Sequence, residues 1–380
     1  MELPMPGELT PASCCVRRTF FHMKLRIPAQ RVVLLFLCVV ASTACAPSST
    51  PGIVSCPTLA GDSVEVAVID SLFTDLGRDT TRNIKGVVVQ RHGCTVAERY
   101  FNGDDSTSLH DIRSATKSIT SALVLLALQQ GLIKNLDQPI SELLPDSMIS
   151  ATAPIAVRQV LTMRTGLDSD DEDSLSVGNE DRMDESVDWI AFARTVPMTS
   201  PPGERYVYSS FTAFLAGAMV EHTSHLSLQD FAAKHLFGPL GIHRFAWRRG
   251  PKGEGVGQGN LSMTTRDMTR IGELFLRGGR VAGRQVIDSA LVRDALAPHV
   301  AISAVDPFAD AYGYMWYSKS YEIGGKSITV HFASGNGGNK IYLVPAHDLV
   351  IAITSSAYGR GYGQRRSEQI LLRILAATQH

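Results

Sequence analysis

Apolar and polar residues fall into a small set of patterns along the chain. Residues 84–90 (IKGVVVQ) and 94–101 (CTVAERYF), separated by Arg91-His92-Gly93, predict a β-hairpin with a three-residue turn. Residues 114–130 predict a helix that is apolar around most of its circumference from Ile119 onward and closed by Gly131, and such a helix belongs in the interior. From Asn135 to about Leu240 helical patterns alternate with Pro and Gly, among them Pro145, Pro154, Gly166, Pro197 and Pro201-Pro202-Gly203. Strand patterns return at 327–332, 340–344 and 349–354, followed by a helix near 364–377. Strands at both ends with helices between them predict an α+β body carrying a helical insertion. No internal repeat is visible.

One long apolar run, residues 32–41 (VVLLFLCVVA), follows Lys24, Arg26 and Arg31 and precedes Ser42, Thr43 and Ala44. About 20 residues are needed to span a bilayer. A basic flank, a short greasy stretch and small residues instead predict a secretory leader over residues 1–45, and Met23 is a second candidate start. Cys45 follows Ser-Thr-Ala in a pattern that resembles a bacterial lipoprotein box. Two readings stay open there, lipidation of Cys45 with membrane attachment or ordinary cleavage nearby. Residues 46–60 begin rich in Pro, Ser and Thr and predict a tether. The protein is therefore expected to be exported, to a bacterial periplasm or the cell envelope. In that oxidising setting Cys56 and Cys94 are either paired or free.

Composition narrows the function. Hydrophobic residues make up 44% and charged residues 19%, the latter below the roughly 25% of an ordinary soluble domain, which excludes a disordered chain. Thirty-six basic against 37 acidic residues leave a charge of −1, and no general pull toward nucleic acid follows. Ten of the acidic residues fall within 168–188 beside the single Arg182. That stretch predicts a solvated loop, since its spacing fails the pattern of a calcium-binding loop. No cofactor, metal or obligate protein partner is called for, and His222 and His225 are expected at the surface.

Only nine of the basic residues are lysines, so each placement is informative. Ser114-Ala115-Thr116-Lys117 opens the buried helix, with Ser114 and Lys117 one turn apart on one face. Burial is expected to lower the Lys117 pKa, and a neutral or proton-sharing amine beside a serine makes the hydroxyl a nucleophile. Tyr208, in Tyr208-Ser209-Ser210, lies just before another apolar helix; a phenol near a cation is expected to ionise more easily and act as general base. Ala333-Ser334-Gly335-Asn336-Gly337-Gly338 ends a strand in a Gly-rich turn, which offers N–H groups for an oxyanion. Taken singly, each has a plain structural reading: a helix cap, a half-buried tyrosine, a hairpin turn. No Gly-x-Ser-x-Gly elbow and no His-Glu-x-x-His string occurs.

In order, the three elements resemble the serine β-lactamase and penicillin-binding-protein superfamily, in its class C-like esterase branch. Supporting strings include Val160 through Leu167, Leu261 through Asp267 and Tyr312-Gly313-Tyr314-Met315-Trp316. Two strings, 162–168 and 333–338, are most similar to the nylon-oligomer (aminohexanoate-dimer) hydrolase group. The resemblance implies a β-lactamase/transpeptidase-like fold: an antiparallel sheet flanked by helices, with 61–113 and 245–380 forming an α/β domain and 114–244 a mainly helical one. It implies that Ser114 attacks an acyl carbon, that Lys117 and Tyr208 share the proton work, and that N–H groups of Ser114 and Asn336 hold the oxyanion. Ser210, Ser334 and Gly335 are implied to line the site. Two departures stand out. Ala333 occupies the place of a lysine that attracts a substrate carboxylate in β-lactam-hydrolysing relatives, and Ser210 that of a common asparagine. Losing a charged hydrogen bond removes about 1.5–3 kcal/mol. Both favour small carboxylic esters or amides over β-lactams. A weak β-lactamase or D-alanyl peptidase, or a silent envelope module, is the alternative.

Overall fold

The computed structural model describes residues 66–145 and 148–378, so the leader, the tether, Cys45 and Cys56 lie outside the described residues. Strands β1 (Ile84–Arg91) and β2 (Cys94–Tyr100) form the expected hairpin. Arg91 pairs directly with Cys94, so the turn has two residues and not three. His92 (φ 52°) and Gly93 (φ 75°) both adopt the left-handed conformation that a two-residue hairpin turn requires. Cys94 is disulfide-bonded.

The later strands are β3 (Val300–Ala301), β4 (Ala311–Tyr312), β5 (Tyr317–Ile323), β6 (Lys326–Gly335), β7 (Asn339–Val344) and β8 (Leu349–Ser355). They complete an eight-stranded sheet in the order β2-β1-β8-β7-β6-β5-β4-β3, antiparallel at every neighbouring pair. The sheet is flanked by helices, as expected for this fold class. Every residue of β7 and β8 is buried, consistent with unbroken apolar runs covered on both faces. Helices α4 (Thr265–Leu276) and α5 (Tyr362–Ala376) cover the sheet, and α1 (Val66–Gly77) packs against α5. Neither α1 nor β5 is foreseen in the sequence. The β5 stretch YSKSYEI is polar at every other position, and only Ser318 in it is buried.

Helix α2 (Thr116–Gln129) is buried continuously from Thr116 to Ala127, as its all-round apolar surface predicts. It packs beside α3 (Ser210–Ser224), itself buried from Ser210 to Val220. A three-stranded sheet of His110–Asp111, Leu261–Met263 and Ala246–Trp247 fixes the chain ahead of α2. There the Ile112 N–H donates to the Leu261 carbonyl at 2.9 Å. Among the described residues no helix is long and apolar enough to cross a membrane.

Candidate active site

Ser114 lies in a 3₁₀ turn, Arg113–Ala115, immediately before α2 and not in its first turn. Arg113 adopts φ 52°, a left-handed value that costs a side-chain-bearing residue about 1 kcal/mol or more. Its N–H donates to Asp111 Oδ1 at 2.8 Å, and its guanidinium sits 4.3 Å from the centre of the Tyr358 ring. The turn leaves Ser114 partly exposed while Lys117, one helical turn on, is 2% exposed.

The Lys117 amine is the hub. Nζ donates to Ser114 Oγ at 3.0 Å, to Ser210 Oγ at 3.0 Å and to the main-chain carbonyl of Gln258 at 2.9 Å. It also lies 4.9 Å from the centre of the half-buried Tyr208 ring, whose phenol interacts electrostatically with Ser114 and Lys117. An ammonium has three N–H donors and no acceptor, so these three oxygens satisfy it completely. Tyr208-Ser209-Ser210 acts as one unit: Ser209 Oγ caps α3 by accepting the Thr212 N–H at 2.9 Å, which places Tyr208 just outside the helix and Ser210 on its first turn.

The third stretch reaches this site through Gly335. A β-carbon there would lie 2.0 Å from the Ile112 carbonyl oxygen and 3.1 Å from the Ala115 nitrogen. Only glycine lets the end of β6 press against the Ser114 turn. The β5–β6 pairing ends at Tyr317–Phe332, which leaves residues 333–335 without a β5 partner. Asn336 is exposed, its Oδ1 accepting the Gly359 N–H at 2.8 Å. Ala333 is buried and carries no charge to this motif. His331 does not supply one either, because burial holds its imidazole below the usual range and so neutral.

Two contributions go beyond the expected set. The acidic stretch is not a solvated loop throughout. Ser169, Ser176 and Asn179 are buried within it, and the Asn179 amide donates to the carbonyls of Asp170, Asp171 and Asp173. This folding carries Asp171 inward, where Oδ2 accepts the Ser210 N–H at 2.7 Å. Burial pushes the Asp171 carboxyl up to about 6, against the opposing pull of the Lys117 ammonium. The second is Lys340, opposite Ser334 in the β6–β7 register, with Nζ donating to Ser334 Oγ at 2.8 Å. The hairpin pairing around Asn336-Gly337-Gly338 was the signal that could have found it; Asp171 had none beyond an acidic composition.

Electrostatics overturn the expected protonation states. Burial does act to lower the Lys117 pKa, but Tyr208, Glu180 and Asp171 outweigh it and hold the amine above its ordinary value. Burial raises the Tyr208 phenol, and the nearby Lys117 charge and Ser114 hydrogen bond offset this only in part. The resting pair is therefore an ammonium and a neutral phenol. Ser114, Lys117, Tyr208 and Ser210 come together, with Gly335 against the Ser114 turn; Ser334 lies on the sheet face toward α5, where its Oγ is 3.5 Å from Gln364 Oε1. His222 and His225 are exposed, as expected. Among the described residues no cluster of three His, Cys, Asp or Glu side chains has metal-holding geometry.

Comparison with known proteins gives a consistent picture. A family model described as Beta-lactamase matches residues 69–374. The 6-aminohexanoate-dimer hydrolase of Paenarthrobacter ureafaciens is 27% identical over 282 residues, covering 71% of each protein. A hydrolase with promiscuous acyltransferase activity superposes with a TM-score of 0.68 at 14% identity, covering 84% of this chain and 100% of that one. A penicillin-binding-protein homologue from Caulobacter crescentus gives a TM-score of 0.64 at 18% identity, covering 83% and 97%.

Proposed function

The chain belongs to the beta-lactamase family of hydrolases, and from that premise we propose that it cleaves small carboxylic esters or amides through an acyl-enzyme on Ser114. The observation that carries the reading is the convergence of Lys117 on Ser114 and Ser210 at 3.0 Å, with Tyr208 against the same amine. Ester and amide chemistry accords with the uncharged Ala333 and with the names of the relatives above. We further propose export to the cell envelope, on the leader pattern of residues 1–45.

The hydrogen-bond directions support one path for the proton. Lys117 as an ammonium donates into Ser114 Oγ, so it cannot take the Ser114 proton. That proton goes to the Tyr208 oxygen once the Lys117–Tyr208 pair has lost one proton and the phenolate is stabilised by the adjacent ammonium. Attack on the acyl carbon then forms the Ser114–carbon bond, and the oxyanion is held by the N–H groups of Ser114 and Asn336. One such donor contributes about 3 kcal/mol to the transition state. Tyr208 returns its proton to the departing alcohol or amine. Water then attacks the acyl carbon as Tyr208 takes its proton; the Ser114–carbon bond breaks, Tyr208 returns that proton to Ser114 Oγ, and the acid leaves.

Labelling by a fluorophosphonate and side-by-side assays with a short p-nitrophenyl ester and nitrocefin test this reading. Adduct on Ser114 with ester turnover and little nitrocefin colour is expected; labelling elsewhere, or none, ends it. Because the pair must lose a proton to become active, kcat/KM is expected to rise with pH above neutrality with a slope of one. Tyr208→Phe is expected to remove that limb and to lower kcat by about 10²–10⁴-fold. An unchanged pH profile in that variant rules Tyr208 out as the base.

A further inference from the structure

The short helix Val157–Leu161 ends in a turn where Met163 adopts φ 56°, and the chain runs on through Arg164. The Arg164 N–H donates to the Gln159 carbonyl at 2.8 Å, and the Arg164 carbonyl accepts the Gly203 N–H at 2.7 Å. The Met163 carbonyl accepts the Val207 N–H at 2.9 Å, so this turn is bonded to the chain that leads into Tyr208. A cavity of about 230 Å³ is lined there by Arg158, Gln159, Thr162, Arg164, His299 and Tyr314, with Gly203 completing it.

This lining is rich in donors, and no carboxylate belongs to it. Arg158 is already forked onto Asp137, through Nε at 2.6 Å and Nη2 at 2.8 Å. The Gln159 Oε1 accepts the Ala156 N–H at 2.7 Å, which leaves the donor end of that amide for another partner. A β-carbon at Gly203 would come within 3.0 Å of the Gln159 Nε2, and glycine there (φ 91°) spares it. The His299 ring stacks on Tyr314 at 4.5 Å, and the Tyr314 hydroxyl donates to Asp294 Oδ2 at 2.9 Å. Arg164 differs from its neighbours. Its Nε is buried without an acceptor, and among the described residues its side chain makes no hydrogen bond or ion pair. A guanidinium stays charged and only donates. Such a group under cover with its bonds unmade is costly, and an anion that only accepts is its natural complement.

We propose that this cavity binds a small oxoanion, a phosphate or carboxylate group, held by the Arg164 guanidinium and the Gln159 amide. The planar fork of the arginine suits two oxygens of one such group. The volume is several times the ~30 Å³ share of one water, enough for the anion and a short organic body. The site shares no residue with the Ser114 machinery. It goes beyond the ester and amide reading and does not depend on it.

Calorimetry of the full chain at constant ionic strength, with inorganic phosphate and with succinate as probes, separates the two sources. Saturable binding with a Kd of about 1 mM or tighter is expected for at least one probe, and the tighter of the two identifies the group. Arg164→Met is expected to weaken that probe at least about tenfold. Arg164→Lys should weaken it less, because it keeps the charge and loses the fork. The wild-type melting temperature is expected to rise by about 2–4 °C at ten times Kd, with no rise in Arg164→Met. Should the methionine variant fold poorly, wild-type crystals soaked in tungstate decide the matter, with anomalous density expected against the Arg164 guanidinium. No binding of either probe, an affinity unchanged in Arg164→Met, or tungstate found only elsewhere overturns the site.

Discussion

Replacement of Ser114 by alanine is expected to cut ester turnover by on the order of 10⁴-fold or more, with the folded state kept. The loss is large because no other hydroxyl can form the acyl bond. Ser210 Oγ touches the same amine, but it sits on the first turn of α3 and is fully buried, whereas Ser114 is partly exposed on the turn beside Gly335. The fold should persist because the Ser114 side chain accepts one bond from Lys117, while the turn itself is held by main-chain contacts from Ile112. Kinetics with a p-nitrophenyl ester, paired with a melting curve, check both halves. Activity within about tenfold of the wild type would falsify the acyl-enzyme scheme.

Lys117→Met is the second large effect, an expected fall in kcat of about 10³–10⁴-fold. Without the ammonium, nothing stabilises the Tyr208 phenolate that the scheme requires, and burial already keeps that phenol high. Stability should respond differently from activity. Exchanging a buried charge for an apolar chain of similar size is often neutral or stabilising by about 1–4 kcal/mol, but here the exchange strips Asp171 of its nearest positive charge. The Asp171 carboxyl is raised to about 6 from an ordinary 3.8. The folded state thus holds this proton more tightly than the unfolded one, and the associated stability is full below about 3.8 and lost as pH rises through about 6. Removing Lys117 raises the carboxyl further and deepens that loss. Urea midpoints should therefore favour the variant more near pH 5 than near pH 8, relative to wild type; a pH-independent difference contradicts the Asp171–Lys117 link.

Much of this site was legible in advance because its parts sit where local patterns change. Ser114 and Lys117 mark the start of a helix that is apolar from Ile119 onward, Tyr208 the residue before a helix cap, and Gly335 the end of a strand. The protonation states were not legible. Burial of Lys117 was plain from the flanking Ile119 to Ala127, but the opposing charges come from Asp171 and Glu180, in a stretch whose ten acids pointed to water. The Asn179 amide, gathering three carbonyls, and Ser169, bonded to Ser209, turn part of it inward. The Gln258 carbonyl that completes the amine's shell is main chain and leaves no trace in residue identity. Strand β5 escaped notice because a strand with a wet face has no unbroken greasy run, whereas β7 and β8 announce themselves.

The sheet order carries one more consequence. Strand β1, from the first part of the described chain, lies between β2 and β8, and its bonded partner begins at Leu349. A ribosome must therefore deliver nearly the whole polypeptide before the β1–β8 hydrogen-bond ladder can close. Such distant closure slows folding and leaves greasy strand edges bare in the interim. Nascent chains halted before Leu349 should be held by chaperones or degraded, however well their α2 segment has already coiled.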